Sequence, residues 1–363
     1  MIDNDDAVKS VYYFEKEGSK RWKNCDSLGF ANRSRLKDGE NPFRMGTVRQ
    51  AKATKRKKTS QVSYQPRFKE AGKYAVYVSY QSLPKSVSDA RYIVYHKGEA
   101  TEFSVNQRMG GGTWVYLGTF DFDKGCNEFN RVVCTNKASR RGVVTTDAVR
   151  FGGGMGNIER GGYTSGLPRC LEGARYYAQW AGAPSNVYGG RKGENDYADD
   201  IYTRSLMTNW LGGGSVYMPA RKGKHVPIEL SLALHSDAGY NRDGKSTFGA
   251  LAICTTDYND GILNSGISRF TSKDFARALR DNLVTDLTAQ FGEFGKRYLW
   301  DRNYSETRLP EVPSAILEML SHQNFPDMRI AQDPLGKFYI ARSIYKTILR
   351  FVNSNHGTRY VVQ

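Results

Sequence analysis

The sequence predicts two domains of different class: an antiparallel β-sandwich up to about residue 151, followed by an α/β layer with a mostly parallel sheet. Two observations carry this prediction. The hydrophobic period changes from two to about 3.6 along the chain, and a glycine-rich passage, Gly152 to Gly156 with Gly161 and Gly162, falls where it changes. A chain of 363 residues is long enough to build two cores.

In the first part, short runs such as Tyr74 to Tyr80, Tyr92 to Tyr95, Trp114 to Leu117 and Val143 to Val149 alternate apolar with polar residues, and turn residues separate them. β-Branched and aromatic side chains at this period fit a half-buried pleated surface, and no segment here has helical spacing. Trp114 and Tyr116 could stack on sugars, although alternate strand positions equally suit core residues. The expected division is 1–151 for the sandwich, 152–194 for a glycine-rich joint with a connecting helix, and 195–363 for the α/β domain.

The second part has helical spacing over Leu171 to Trp180, Tyr197 to Trp210, Ser272 to Phe291 and Tyr339 to Phe351, with Thr271 or Ser272 placed to cap the third helix. Between the helices lie apolar runs suited to buried strands: Ile228 to Leu234, Phe248 to Ile253, and Ala315 to Leu317. Ligands of such sheets gather at the carboxyl ends of strands. Two of the runs end on residues able to do chemistry, His235 and Glu318. An imidazole entering a polar loop can bind metal, but a single histidine equally serves as a hydrogen-bonded structural group. A carboxylate at the end of an apolar run is desolvated, which favours acid/base work or, alternatively, a buried salt bridge. Arg302, in Asp301-Arg-Asn-Tyr304, could pair with substrate carboxylates or with Asp301 or Glu306.

The formal net charge of +16 favours an anionic partner: cell-wall polymer, membrane surface or nucleic acid. Part of the excess lies in one run, Lys52 to Lys58, which reads as a solvated loop. With a single basic run and no nucleic-acid-binding fold, nucleic acid is not expected. Cys25, Cys126, Cys134, Cys170 and Cys254 include no C-x-x-C pair, so neither a thiolate zinc site nor a complete disulfide framework is expected; Cys126 and Cys134 could at most face each other across a hairpin. No run of about 18 apolar residues occurs, which excludes a transmembrane helix, and the first residues lack the order of a signal peptide.

Two resemblances sharpen the functional expectation. Leu232-Ala-Leu-His235-Ser-Asp237-Ala-Gly239 resembles the strand-end histidine motif of zinc-dependent N-acetylmuramoyl-L-alanine amidases, and Ala315-Ile-Leu-Glu318-Met-Leu-Ser-His-Gln-Asn324 resembles their later motif. The segment Asp199 to Asn209 resembles the helix preceding the histidine strand, with Arg204 and Asn209 in its arginine and asparagine positions. The resemblance covers about Asn195 to Phe351 and implies His235 as a zinc ligand, Glu318 as the proton-handling residue, and Asp237, Arg302 and Asn324 beside the substrate. It further implies cleavage of the amide joining muramic acid to the stem peptide, with peptidoglycan or another anionic wall polysaccharide as partner and a periplasmic or extracellular setting. The family's two earlier ligands, a histidine in a Gly-His-Gly type loop and a glutamate after it, have no match here; His96 and His225 lie in other contexts. The zinc site and the amidase-like domain are therefore expected to be incomplete, with the missing strands upstream of residue 1 and the sandwich inserted in the catalytic fold.

The second resemblance lies in Ala71 to Val78, Tyr92 to Gly98, Val105 to Gly118 and Asp147 to Phe151, which are similar to the golvesin-type sandwich found beside bacterial polysaccharide- and wall-acting enzymes. It implies a glycan-binding module. Two other functions remain open on the sequence: a non-catalytic polysaccharide- or wall-binding protein, and a polysaccharide lyase using Tyr258 and His235 as base and acid.

Overall fold

The computed structural model describes residues 1–6, 12–154, 156–192 and 194–357; residues 7–11, where the sandwich is expected to begin, and Met155 of the glycine-rich passage lie outside the described residues. Its contacts define two units: Met1–Thr203 with Lys224–Val226, and Arg204–Gly223 with Pro227–Gln363.

The first unit is built on two antiparallel sheets. One has the order Ile2–Asp3, Ala148–Phe151, Gly72–Val78, Val115–Phe122; the other has the order Tyr13–Lys16, Gln61–Tyr64, Arg131–Thr135, Ala90–His96, Glu99–Val105. Alternation along these strands sends Val76, Val78, Val62, Tyr64, Tyr92, Val94, Val132 and Cys134 into one core. Two polar side chains reaching that core are hydrogen-bonded: the Tyr64 hydroxyl donates to the Asp147 carbonyl at 3.0 Å, and Gln107 donates to the Thr145 carbonyl at 2.7 Å.

Helix Ala174–Trp180 follows the glycine-rich passage, yet its contacts keep it in the first unit. Trp180 stacks on Trp114 at 5.4 Å, and the Gln179 amide donates to the Lys37 carbonyl. Trp114 is thus buried, also touching Phe30 and Phe43. Tyr116 differs: it is 55% exposed, with its ring 5.1 Å from that of Tyr77. The expected facing of Cys126 and Cys134 does not occur. Cys134 is buried opposite Val62 and Tyr92, Cys126 lies beside Gln65, and all five thiols are free.

The second unit holds four strands: β1 (Ser231–Asp237), β2 (Ala250–Cys254), β3 (Lys296–Asp301) and β4 (Ser314–Ser321), in the spatial order β1-β4-β2-β3. The β1–β4 and β2–β3 pairs are parallel, and the middle pair β4–β2 is antiparallel. The sheet is therefore mixed. Its helices include α1 (Phe270–Phe291), α2 (Ser305–Arg308), α3 (Phe325–Gln332) and α4 (Pro334–Asn355). Leu279, Leu283, Leu287, Ile340 and Ile344 pack on Ala252, Ala315 and Leu317, so α1 and α4 cover one face. The other face carries a small cluster of Leu251, Ile253 and Ile316 with Ala233 and Trp300.

Several boundaries differ from those expected. Helix α1 begins at Phe270, so Thr271 and Ser272 stand inside its first turn; the Ser272 hydroxyl instead accepts the Ser314 N–H at 3.1 Å. Strands β1 and β4 run on through His235 and Glu318 rather than ending before them. Gly249 opens β2 with φ of +86°, and a Cβ there would meet the Gly295 carbonyl at 1.8 Å; only glycine permits so close a crossing.

Candidate active site

His235 and Glu318 are opposite each other in the parallel register of β1 and β4. Ala233 and Ile316, two residues earlier on each strand, lie in the cluster on the face not covered by α1 and α4, and strand alternation sends His235 and Glu318 to that face. The imidazole Nδ1 stands 3.6 Å from Glu318 Oε1. Its Nε2 is 3.0 Å from Glu306 Oε2, presented by the short helix α2, and Arg204 is 3.3 Å from the other Glu306 oxygen. The side chains of Glu306 and Glu318 are only 12% and 13% exposed, against 32% for His235.

The electrostatics follow from these contacts. The hydrogen bond to Glu306 raises the His235 pKa; burial opposes this, and the charges of Glu306 and Glu318 reinforce it. Burial pushes the Glu306 carboxyl up, but the bond from His235 and the charges of His235 and Arg204 outweigh it and leave the group below its ordinary value. Glu318 is raised, by burial first and by the Asp237 charge, with His235 and Arg297 opposing. Its Oε2 is buried with no hydrogen-bond partner among the described residues, an environment that suits a carboxyl able to exchange a proton.

The remaining expected residues divide. Asp237 stays near the pair, its Oδ2 held by Arg297 at 2.6 Å. Arg302 is exposed beyond the end of β3, its guanidinium 5.5 Å from the Trp300 ring centroid; among the described residues it pairs with neither Asp301 nor Glu306, which bind Lys273 and His235 instead. Asn324 is 1% exposed. Its Oδ1 accepts the Asn241 N–H and its Nδ2 donates to Ser246 and Asp327, so it ties the loop between β1 and β2 to the segment after β4. Arg204 and Asn209 both tie their helix to the strand region: Asn209 donates to the Leu309 carbonyl and accepts the Glu311 N–H. Tyr258 lies under Arg269 and Arg308 and makes no hydrogen bond to His235 among the described residues.

The sequence reading missed Glu306 as a partner of His235. Its signal is weak, a carboxylate in the first turn of a four-residue helix just after β3.

The donor set was tested against zinc. Among the described residues, no three His, Cys, Asp or Glu side chains are grouped so as to hold a metal ion. His235 offers one imidazole, and the carboxylate at its Nε2 is also held by Arg204. A catalytic zinc ordinarily takes three protein ligands and an open position, so the residues present do not fit the ion.

Fold and site together define a protein with an antiparallel sandwich followed by an α/β unit bearing a histidine-carboxylate cluster. Residues 37–153 match the Golvesin C-terminal domain family. A 97-residue stretch is 34% identical to xanthan lyase from Bacillus sp. (strain GL1), covering 26% of this chain and 10% of that protein. The chain thus spans about a tenth of the curated relative it matches. Among solved structures, a Paenibacillus xanthan lyase is similar with a TM-score of 0.32 and 21% identity, over 41% of this chain and 12% of that one. An N-acetylmuramoyl-L-alanine amidase from Clostridium difficile 630 is similar with a TM-score of 0.30 and 13% identity, over 47% and 80% of the two chains.

Proposed function

We propose that this protein acts on bacterial cell wall outside the cytoplasm, and that its second unit is a hydrolase site of the N-acetylmuramoyl-L-alanine amidase type. The observation that carries the reading is the in-register pair His235 and Glu318, with the unpartnered Glu318 oxygen beside it. In this reading Glu318 takes the proton of the attacking water and delivers it to the leaving amine, while Glu306, itself held by Arg204, fixes the imidazole. In the family, zinc supplies the Lewis acid. This chain's own donors hold it weakly, so zinc retained after dialysis is expected at well below one per chain.

The test is release of new amino groups from purified peptidoglycan with zinc in excess. Release that Glu318→Gln abolishes is the result that supports the reading. Binding of muramoyl-peptide without any release would instead establish the second reading, a wall-binding protein without turnover, which the lack of a three-ligand cluster among the described residues favours. Neither binding nor release would sink both.

A further inference from the structure

The sheet face that carries His235 and Glu318 also carries a row of side chains that the acid/base chemistry does not use. Strand β3 is an edge strand, and Trp300 packs on the Ile253 and Ile316 side of the sheet. Tyr298 precedes it by two residues and therefore shares its face. The two rings are nearly parallel, 14° between planes and 6.3 Å between centroids, and the Arg302 guanidinium lies over the Trp300 ring, 5.5 Å from its centroid. Asp301, between Trp300 and Arg302, is engaged elsewhere, bonded to Thr256 and paired with Lys273 of α1. Tyr298 is 69% exposed, although a tyrosine on an edge strand has ample apolar area to bury.

A row of two aromatic faces ending in a cation has a specific complement. Pyranose rings present C–H faces that pack on aromatic rings, and their ring spacing along a linear glycan suits successive platforms. Arginine adds a bidentate grip on a carboxylate, and Arg302 forms no ion pair within the described residues. A purely neutral glycan would leave this cation unused, and an apolar protein partner would leave it buried at a cost. The high positive charge of the chain favours the anionic ligand further.

We propose that Tyr298, Trp300 and Arg302 form a saccharide-binding row that holds carboxylate-bearing sugar units of a glycan strand on the same sheet face as Glu318. This rests on the amidase-type reading for the identity of the glycan: hydrolysis of the amide frees the lactyl carboxyl of muramic acid, so the row holds units of the strand already stripped of peptide, beside the site that strips them.

The test uses calorimetry on the full chain with two probes: peptidoglycan glycan strands stripped of peptide but retaining some lactyl carboxylates, and chitooligosaccharide, which has none. Tyr298→Ala is expected to weaken both at least fivefold. Arg302→Gln is expected to weaken only the carboxylate-bearing strand by a similar factor. Both variants should melt at the wild-type temperature, since neither side chain is in the core; Trp300→Ala is less suitable because Trp300 packs on the sheet cluster. Wild-type affinity in Tyr298→Ala overturns the row, as does equal weakening of both probes by Arg302→Gln. The two readings fail separately. Glycan binding that depends on Tyr298 without amide release removes the amidase chemistry and leaves the row, whereas amide release with Tyr298-independent glycan binding removes the row alone.

Discussion

The two units place their carboxylates in different surroundings. In the sandwich, carboxylates and amides go into the interior to fix backbone: Asp147 is fully buried and accepts the Phe30 N–H at 2.9 Å, and Asn136 accepts the Ser60 N–H at 2.8 Å. In the α/β unit, the charged groups of interest are half-buried on a face that α1 and α4 leave uncovered, and one of them, Glu318, keeps an oxygen without a partner. Asp147 also keeps one buried oxygen, Oδ1, without a partner among the described residues, so what sets Glu318 apart is the imidazole beside it and its half-buried rather than sealed position. Stability in the first unit and proton transfer in the second should therefore respond to different substitutions.

The largest effect should come from the sandwich side. Trp180→Ala removes a ring stacked on Trp114, with Arg169 and Arg150 over it at 4.4 and 4.6 Å. A loss of roughly 3–5 kcal/mol is expected from denaturant unfolding of the first unit. A cost under about 1 kcal/mol would show that the ring is not part of the core. Next, Glu318→Gln should lower amide hydrolysis by about 10²–10⁴-fold while leaving the urea midpoint near wild type. Large destabilisation with retained turnover would place Glu318 with the structural carboxylates of the first unit and erase the contrast.

The contrast also explains what sequence alone conveys. Periodicity locates the sandwich strands because one face of each is buried: Val76 and Val78, then Tyr92 and Val94, alternate cleanly. It locates His235 and Glu318 because each sits in an otherwise apolar run. Strand β3 escapes notice because Lys296, Arg297 and Asp301 interrupt it, as suits an edge strand with one open face. The antiparallel direction of β2 against β4 is equally silent, since a buried run such as Ala250–Cys254 reads the same in either direction. Glu306 is invisible for a different reason: its role depends on where a four-residue helix lands, which is a tertiary fact.

A third prediction uses pH to sharpen the comparison. Burial first, with the Asp5 and Asp6 charges, raises the Asp3 carboxyl to about 7 from 3.8. Between these values the folded protein holds a proton that the unfolded chain releases, so this contribution is complete below about pH 3.8 and is lost as pH rises towards 7. Asp3→Asn can still accept the Asp5 N–H, and it should stabilise the first unit at pH 8 by an amount on the order of 1 kcal/mol or more relative to its effect at pH 4. Identical differences at both pH values in thermal melts would contradict it.

The smallest expected effect concerns the cluster itself. Glu306 accepts from the His235 imidazole and is the main cause of its raised pKa, with Glu318 adding a weaker charge term and Arg204 opposing. A group raised in this way contributes stability that is present below about pH 6.5 and disappears as pH rises through its folded value. Glu306→Gln keeps an oxygen that can accept the same hydrogen bond but removes the charge, so the His235 titration followed by NMR should move down while the fold persists. Because the Glu306 charge also raises the Glu318 carboxyl, the Glu318 titration should move down in the same variant. Movement of both groups distinguishes an electrostatically linked cluster from independent side chains. If neither moved, the 3.0 Å and 3.6 Å contacts around His235 would be structural in the way the buried carboxylates of the sandwich are.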